Sequence, residues 1–443
     1  MSSDQAWPSM TLKEAGVVLI DCDHRTPVAQ DSGLPYIAIP QLKDGHVRLD
    51  GGERRISSED FVEWTKKLKP REHDVIVVRR CNSGDSAVVP KGVEWAIGQN
   101  LVVLRSDGKS VYPPFLRWLV RSDEWWGQVN KYINVGAVFD SLKCREIPLF
   151  ELPIPPIPHQ VEIAQALNGL DDRITLLHET NATLEAIAQA LFKSWFVDFD
   201  PVRAKQAGRA PEGMDEATAA LFPDGFEESE LGVVPRGWRS GVLADIADFQ
   251  NGYAFKSKDW VEVGHPVVKI GDVKPGVIDF SGCSYVSSET VNGLERFRLN
   301  RGDLLVGMTG YVGETGLVPR VEPSAYLNQR VGRISARSGM LDIGFVYCIV
   351  RAPEFKLFAE SQSHGSAQAN VSGAALQSFQ TVLPTIQLLD VFNSTLYPML
   401  ETILSNHERA LAIATIRDTL LPRLISGQLR LPEATSLVEE VAA

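Results

Sequence analysis

Cysteine is scarce. Cys22, Cys81, Cys144, Cys283 and Cys348 are scattered and odd in number, with no Cys-x-x-Cys pair and no Cys/His cluster. That spacing argues against a disulfide framework and a structural zinc site. Long apolar runs are missing too, and none approaches the roughly 18 residues a membrane span needs. The first ten residues (MSSDQAWPSM) lack the basic-then-apolar pattern of a secretory signal. The expectation is a cytoplasmic protein without a membrane anchor. Catalytic signatures are equally absent. There is no G-x4-GK[ST] loop for a nucleotide phosphate, and no Gly-rich turn in a βαβ unit for a dinucleotide or S-adenosylmethionine. Val111-Tyr112-Pro113-Pro114-Phe115 superficially resembles the Asn/Asp-Pro-Pro-aromatic motif of amino-methyltransferases. Tyr112 cannot supply the amide or carboxylate acceptors that chemistry needs, so the segment reads as a helix-starting turn.

What remains is ordinary globular material, 44 % apolar and 23 % charged over 443 residues, enough for about two or three domains. The net charge of −12 looks wrong for a nucleic-acid binder, but its distribution matters more. Residues 1–155 carry 20 basic against 21 acidic side chains and residues 241–385 carry 13 against 14. The excess acid lies in residues 156–240 (7 against 14) and 386–443 (4 against 7). A nearly neutral block can still present one basic face.

The chain repeats itself at an offset of 229–231 residues. Pro35-Tyr36-Ile37 returns as Pro266-Val267-Val268, Asp74-Val75-Ile76 as Asp303-Leu304-Leu305, Gln99 as Gln329, and Phe115–Arg121 as Phe345–Arg351. Each copy reads as a mixed α/β block followed by a long helix. Val75–Val78, Leu101–Leu104, Pro266–Ile270, Asp303–Val306 and Val331–Ile334 read as short strands bounded by turn residues. Phe115–Arg121 and Ile343–Arg351 read as short amphipathic helices.

The long helices carry heptad stripes. One runs Ile163, Leu167, Leu170, Ile174, Leu177, Asn181, Leu184, Ala188, Leu191, Trp195. The other runs Phe392, Leu396, Met399, Ile403, Asn406, Ala410, Ile413, Arg417, Leu420, Leu424, in the same register and broken by Asn406 and Arg417. The shared register predicts that the stripes pair, and the first spans about 48 Å at 1.5 Å per residue. Pro398 is expected to kink or begin the second helix and Pro422 to end it. Residues 201–237 read as an acidic, Pro/Gly-rich connector.

Isolated features receive plain readings. Asp21-Cys22-Asp23-His24 has no counterpart cluster in the second copy, so no metal is expected. His159 and His178 are expected to be solvated, and Trp125-Trp126 to serve the core or an interface. The glycines of GMTGYVGETG (307, 310, 313 and 316) read as a tight loop after a strand, or as a loop whose backbone can approach DNA closely.

At this point the chain resembles the specificity subunit of type I restriction-modification enzymes over nearly its whole length. The segments that carry the resemblance are Leu152–Gln160 (LPIPPIPHQ), Ala190–Ala204 (ALFKSWFVDFDPVRA), Leu231–Trp238 (LGVVPRGW) and Ile416–Gly427 (IRDTLLPRLISG). His159 and Leu389-Asp390 depart from the residues usual there. The resemblance implies a mixed α+β fold with two similar target-recognition domains, separated by two antiparallel coiled-coil helices in a pseudo-two-fold repeat. The divisions become 1–155 and 238–384 for the recognition domains, 156–200 and 385–427 for the helices, 201–237 for the connector and 428–443 for a tail. It implies a non-catalytic subunit that reads a bipartite double-stranded DNA target, one domain per half-site. Half-sites read from one face lie about 34 Å apart, a distance a rod of this length can set. Two methyltransferase subunits and the restriction-translocase subunits are the implied partners. S-adenosylmethionine, ATP and magnesium are expected on those partners, and none here. A methyltransferase, or a coiled-coil adaptor that reads no DNA, are the competing readings.

Phosphate and base contacts favour Lys, Arg, Asn and Gln. The expected DNA contacts are Lys66, Lys67, Lys69, Arg71, Arg79 and Arg80 in the first copy. In the second they are Lys256, Lys258, Arg296, Arg298, Arg301, Tyr311 and Arg330. Charge removal at Arg79-Arg80 is expected to weaken binding and flatten its salt dependence. Phe192, Trp195 and Phe196 place three large apolar side chains in five residues, which suggests a methyltransferase-docking surface; the other reading is that they close the end of the coiled coil.

Overall fold

The computed structural model describes residues 7–136, 140–337, 343–363 and 369–429; most of the expected tail, residues 430–443, lies outside these. Two compact units emerge, one from residues 1–173 with 413–443 and the other from residues 174–412. Each unit therefore takes a globular block and a stretch of both long helices.

The core of the first unit is a six-stranded sheet in the order Val17–Asp21, Leu101–Ser106, Val75–Val78, Ser86–Val88, His46–Val47, Leu42–Lys43. The Val75–Val78 strand is buried along its whole length, which is why its sequence is a continuous β-branched run without alternation. A three-stranded sheet (Arg54–Ile56, Leu34–Ile37, Ala96–Ile97) stands beside it. Helices Pro113–Leu119 and Asp123–Tyr132 bury Phe115, Trp118 and Trp125 against the larger sheet. Trp125 is fully buried, in line with the core reading, while Trp126 is partly exposed.

The second unit repeats this plan. Its five-stranded sheet runs Ala247–Asn251, Val331–Ala336, Leu304–Gly307, Thr315–Leu317, Gly276–Val277. The registers match: Val17 faces Ser106, and Ala247 faces Ala336. Val75 faces Leu104, and Leu304 faces Ile334. Two further antiparallel pairs, each joining the two ends of a block, agree, with Ser9 opposite Pro153 and Arg239 opposite Leu383. The internal repeat is thus a repeat of hydrogen-bond register as well as of residue type.

The long helices are Ile157–Phe196 and Ile386–Ile425, 40 residues each. In the first unit Ile163, Ala164 and Leu167 share a core with Leu420, Leu421 and Leu424. In the second, Phe192 and Phe196 meet Phe392, and Asn181 meets Asn406. Within each unit the contacts run antiparallel, as the shared stripe register predicts. Pro398 does not start its helix, which is continuous from Ile386 to Ile425. It is exposed, and so is Ser394, whose carbonyl loses its intrahelical donor at this proline. On that face water can supply the missing hydrogen bond. Pro422 likewise lies inside the helix.

The expected connector is folded. It contains helices Asp200–Gln206 and Glu216–Ala220 and the antiparallel pair Phe226–Ser229 with Gly232–Pro235. Phe222 from this region and Trp238 directly after it enter the core of the second unit. Trp195 meets Phe222 with ring centroids 5.2 Å apart, and Phe196 meets Trp238 at 5.8 Å. Phe192, Trp195 and Phe196 are between 5 and 7 % exposed. This corrects the docking expectation: the three rings fill the core that the connector completes, and they present no surface to a partner. His159 is corrected as well, since its ring packs against Trp7 at 5.1 Å, whereas His178 is exposed as expected.

Candidate nucleic-acid interface

In the first unit the chain leaves the buried Val75–Val78 strand at Arg79 and turns back through Gly84. Cys81 and Asn82 hold left-handed backbone at φ 59° and 65°, an uncommon state for residues with a side chain. The turn is bolted on several sides. The Ser83 N–H donates to Asp140 Oδ2 at 2.8 Å, and that bond keeps the Asp140 carboxyl below its ordinary range. Trp125 Nε1 donates to the Gly84 carbonyl at 3.0 Å. A Cβ on Gly84 would sit 2.9 Å from the Trp126 ring, so only glycine allows this approach.

Beside the turn lies a cleft of about 450 Å³ lined by His24, Arg79, Arg80, Cys81, Gln99 and Asn100. Three segments far apart in sequence build it. The Arg79 N–H donates to the Asn100 carbonyl (3.0 Å), and the Arg79 carbonyl accepts from the Leu142 N–H (2.9 Å), so its backbone is held on both sides. His24 Nε2 lies 2.9 Å from Asp21 Oδ2, and its Nδ1 lies 3.5 Å from Arg79 Nη2 and 3.4 Å from the Gln99 carbonyl. Lys67 borders this corner, donating from Nζ to the Cys22 carbonyl at 3.2 Å. Asp21, Cys22 and His24 bring possible ligand atoms within 4.8 Å of one another. Burial, with the Asp21 charge next in weight, pushes the Cys22 thiol up to about 11. Within this corner Asp21 is engaged by His24 and lies 3.9 Å from Lys67 Nζ.

The second unit builds the same turn. The Met308 N–H donates to the Arg330 carbonyl at 3.0 Å, and the Met308 carbonyl accepts from the Val371 N–H at 2.9 Å. These are the two bonds that fix Arg79, so Met308 is its structural counterpart. Gly310 and Gly313 supply the positive φ that Cys81, Asn82 and Gly84 supply in the first unit. Tyr311 stands at the tip, 62 % exposed. Thr309 Oγ1 donates to Asn370 Oδ1 at 2.7 Å. The Gln329-Arg330 turn takes the place of Gln99-Asn100.

Of the expected contacts, Arg79 and Arg80 line the first cleft. Lys66, Lys69 and Arg71 are exposed but are not among its lining residues, and Lys66 pairs with Glu63. In the second unit Lys256 precedes the short 3-10 turn Ser257–Asp259 and Lys258 lies within it, Arg296 stacks 4.5 Å over Phe297, and Arg298 is exposed; Arg330 sits on the turn that meets Met308. Arg301 is a correction. Its Nη1 donates to Glu401 (2.6 Å) and its Nε to Glu408 (2.7 Å) on the distal long helix, so its charge is spent inside the unit. Sequence reasoning missed His24, Asn100, Thr309 and Asn370. It aligned Gln99 with Gln329 but gave neither a role.

Comparison with known proteins finds the same division of the chain into two copies. The family description "Type I restriction modification DNA specificity domain" matches residues 21–186 and 235–388, one match per copy of the repeat. The type I restriction enzyme HindI specificity subunit of Haemophilus influenzae is 26 % identical over 381 residues, covering 76 % of this chain and 81 % of that one. The MjaIX specificity subunit of Methanocaldococcus jannaschii is 22 % identical and covers 96 % of this chain and 94 % of its own. The crystal structure of the type I restriction-modification system S subunit from M. genitalium shares the fold, with a TM-score of 0.52 at 15 % identity, 96 % of this chain and 97 % of that one being covered.

Proposed function

The chain belongs to the type I restriction-modification DNA specificity family, and from that premise we propose that it reads a bipartite double-stranded DNA target, one half-site per unit. The observation that carries this reading is the pair of equivalent strand-ending turns, Arg79–Gly84 and Met308–Gly313, each fixed by the same backbone bonds. A rigid turn with exposed polar or aromatic tips is what base-edge readout needs. The chain itself is non-catalytic in this reading. It docks two methyltransferase subunits and the restriction-translocase subunits, which hold S-adenosylmethionine, ATP and magnesium. Among the described residues no helix is long and apolar enough to cross a membrane. The adaptor reading lacks support, because it gives the duplicated turns no task.

The test is selection from a randomised duplex pool by the purified full chain. Enrichment of two short constant blocks separated by an unread spacer, with affinity falling steeply as salt rises, is the expected result. A pool with no split pattern rejects the reading. Sequencing of methylated adenines in cells carrying the complete system gives both blocks independently.

A further inference from the structure

The two turns are alike in backbone and different in chemistry. Arg79, Asn82 and Asn100 of the first unit correspond to Met308, Tyr311 and Arg330 of the second, while Gln99 and Gln329 agree. In the first unit several arginines are spent. Arg25, Arg55, Arg105 and Arg117 are paired with carboxylates. Arg79 is not. Among the described residues its guanidinium has no carboxylate partner, its Nε is shielded from solvent without an acceptor, and its one polar contact is the long one to His24. The side-chain amides of Gln99 and Asn100 are uncommitted as well, making no hydrogen bond with a described residue. An unspent guanidinium fork and two unspent amides thus meet in one cleft whose backbone is fixed.

Resting on the function proposed above, we infer that Arg79 is a specificity-determining residue that reads a guanine in the half-site met by the first unit, and that the second unit lacks this readout because Met308 stands in its place. A guanidinium donates two parallel hydrogen bonds to guanine O6 and N7, a pattern no other base edge offers in the major groove. A bare phosphate role fits less well. Phosphate anchors are held by charge on an open surface, whereas Arg79 emerges from a core strand with both backbone groups engaged and its Nε shielded. Asp21 and His24 act as positioning residues. Asp21 holds the His24 ring at Nε2, and Nδ1 stands 3.5 Å from Arg79 Nη2 and 3.4 Å from the Gln99 carbonyl.

The experiment is the same duplex selection with the full chain carrying Arg79→Lys or Arg79→Gln, accompanied by thermal melts. The wild-type pool should hold a constant G·C pair in one block. Arg79→Lys keeps the charge but loses the fork. It should relax that one position by roughly tenfold, leave the other block unchanged and leave the salt slope unchanged. Arg79→Gln should shift the same position toward A·T, since an amide pairs with adenine. A wild-type pool with no constant G·C pair in either block, unchanged blocks in both variants, or changes in both blocks would overturn the assignment while leaving the bipartite reading intact. Uniform loss of affinity with an unchanged melt would make Arg79 a phosphate anchor and overturn it too. A wild-type pool without two blocks defeats the underlying function instead.

Discussion

Asn406 Nδ2 donates to Asn181 Oδ1 at 3.0 Å, and Asn181 Nδ2 donates in turn to the Ile403 carbonyl at 2.9 Å. The asparagine interruptions of the two stripes are therefore one feature. Asn181 thus accepts from Asn406 with its oxygen and donates with its nitrogen to the backbone of the opposite helix. Replacing one of them, as in Asn181→Leu, leaves a donor or acceptor stranded and should lower stability by about 1–3 kcal/mol. Replacing both by Leu should recover most of that loss. Denaturant unfolding of the two single variants and the double variant checks this, and simple additivity would contradict the pairing.

Trp195→Ala should behave as a core truncation. Its ring meets Phe196, Phe222 and Phe392, so the expected cost is about 3–5 kcal/mol. Methyltransferase capture should decline only in proportion to the unfolded fraction. A variant that melts like wild type yet fails to capture would restore the docking role.

The stripes, the strands and the repeat were legible because each is written in local periodicity. Which stripe residue opposes which was not. Asn181 and Asn406 do not align with each other in the repeat, and only antiparallel packing within their unit brings them together. The cleft was half legible for the same reason. Arg79 and Arg80 stood out as charges, but His24 and Asn100 reach them through sheet pairings that no short window contains. Arg301 and Arg79 look alike in sequence. Glu401, a hundred residues away, separates their roles by absorbing one charge and leaving the other unspent. Phe192, Trp195 and Phe196 look excessive for a stripe because the connector that buries them, through Phe222 and the adjoining Trp238, has the composition of a loop.

That difference between arginines can be measured. Arg301→Met strands Glu401 and Glu408 in a half-buried cluster and should cost about 1–2 kcal/mol, with no change in the salt slope of DNA binding. Replacing Lys66, Lys69 and Arg71 together by Gln should do the reverse. Their side chains are exposed, so the melt should hold, while the slope falls by about 0.9 for each phosphate that is no longer neutralised. An unchanged slope would remove that segment from the interface.

Asp171 gives the clearest dependence on pH. Burial pushes its carboxyl up, but the hydrogen bond from His46 (2.7 Å) and the charges of Arg117, His46 and Arg417 outweigh burial and hold it well below the ordinary 3.8. Arg417 Nη1 donates to Oδ1 at 2.6 Å. A carboxyl held down in the folded state contributes stability that is complete above its unfolded value and is lost as pH falls through the folded one. Asp171→Asn keeps the shape but leaves the buried Arg117 without its counter-charge and the buried Arg417 with only the exposed Asp418, so at neutral pH it should cost roughly 3–5 kcal/mol. Below a pH of about 4 the wild-type carboxyl begins to lose its advantage, and the gap between the two melting temperatures should narrow. A gap that stays constant from neutral pH into acid would mean that Asp171 holds its neighbours by packing, with its charge contributing nothing.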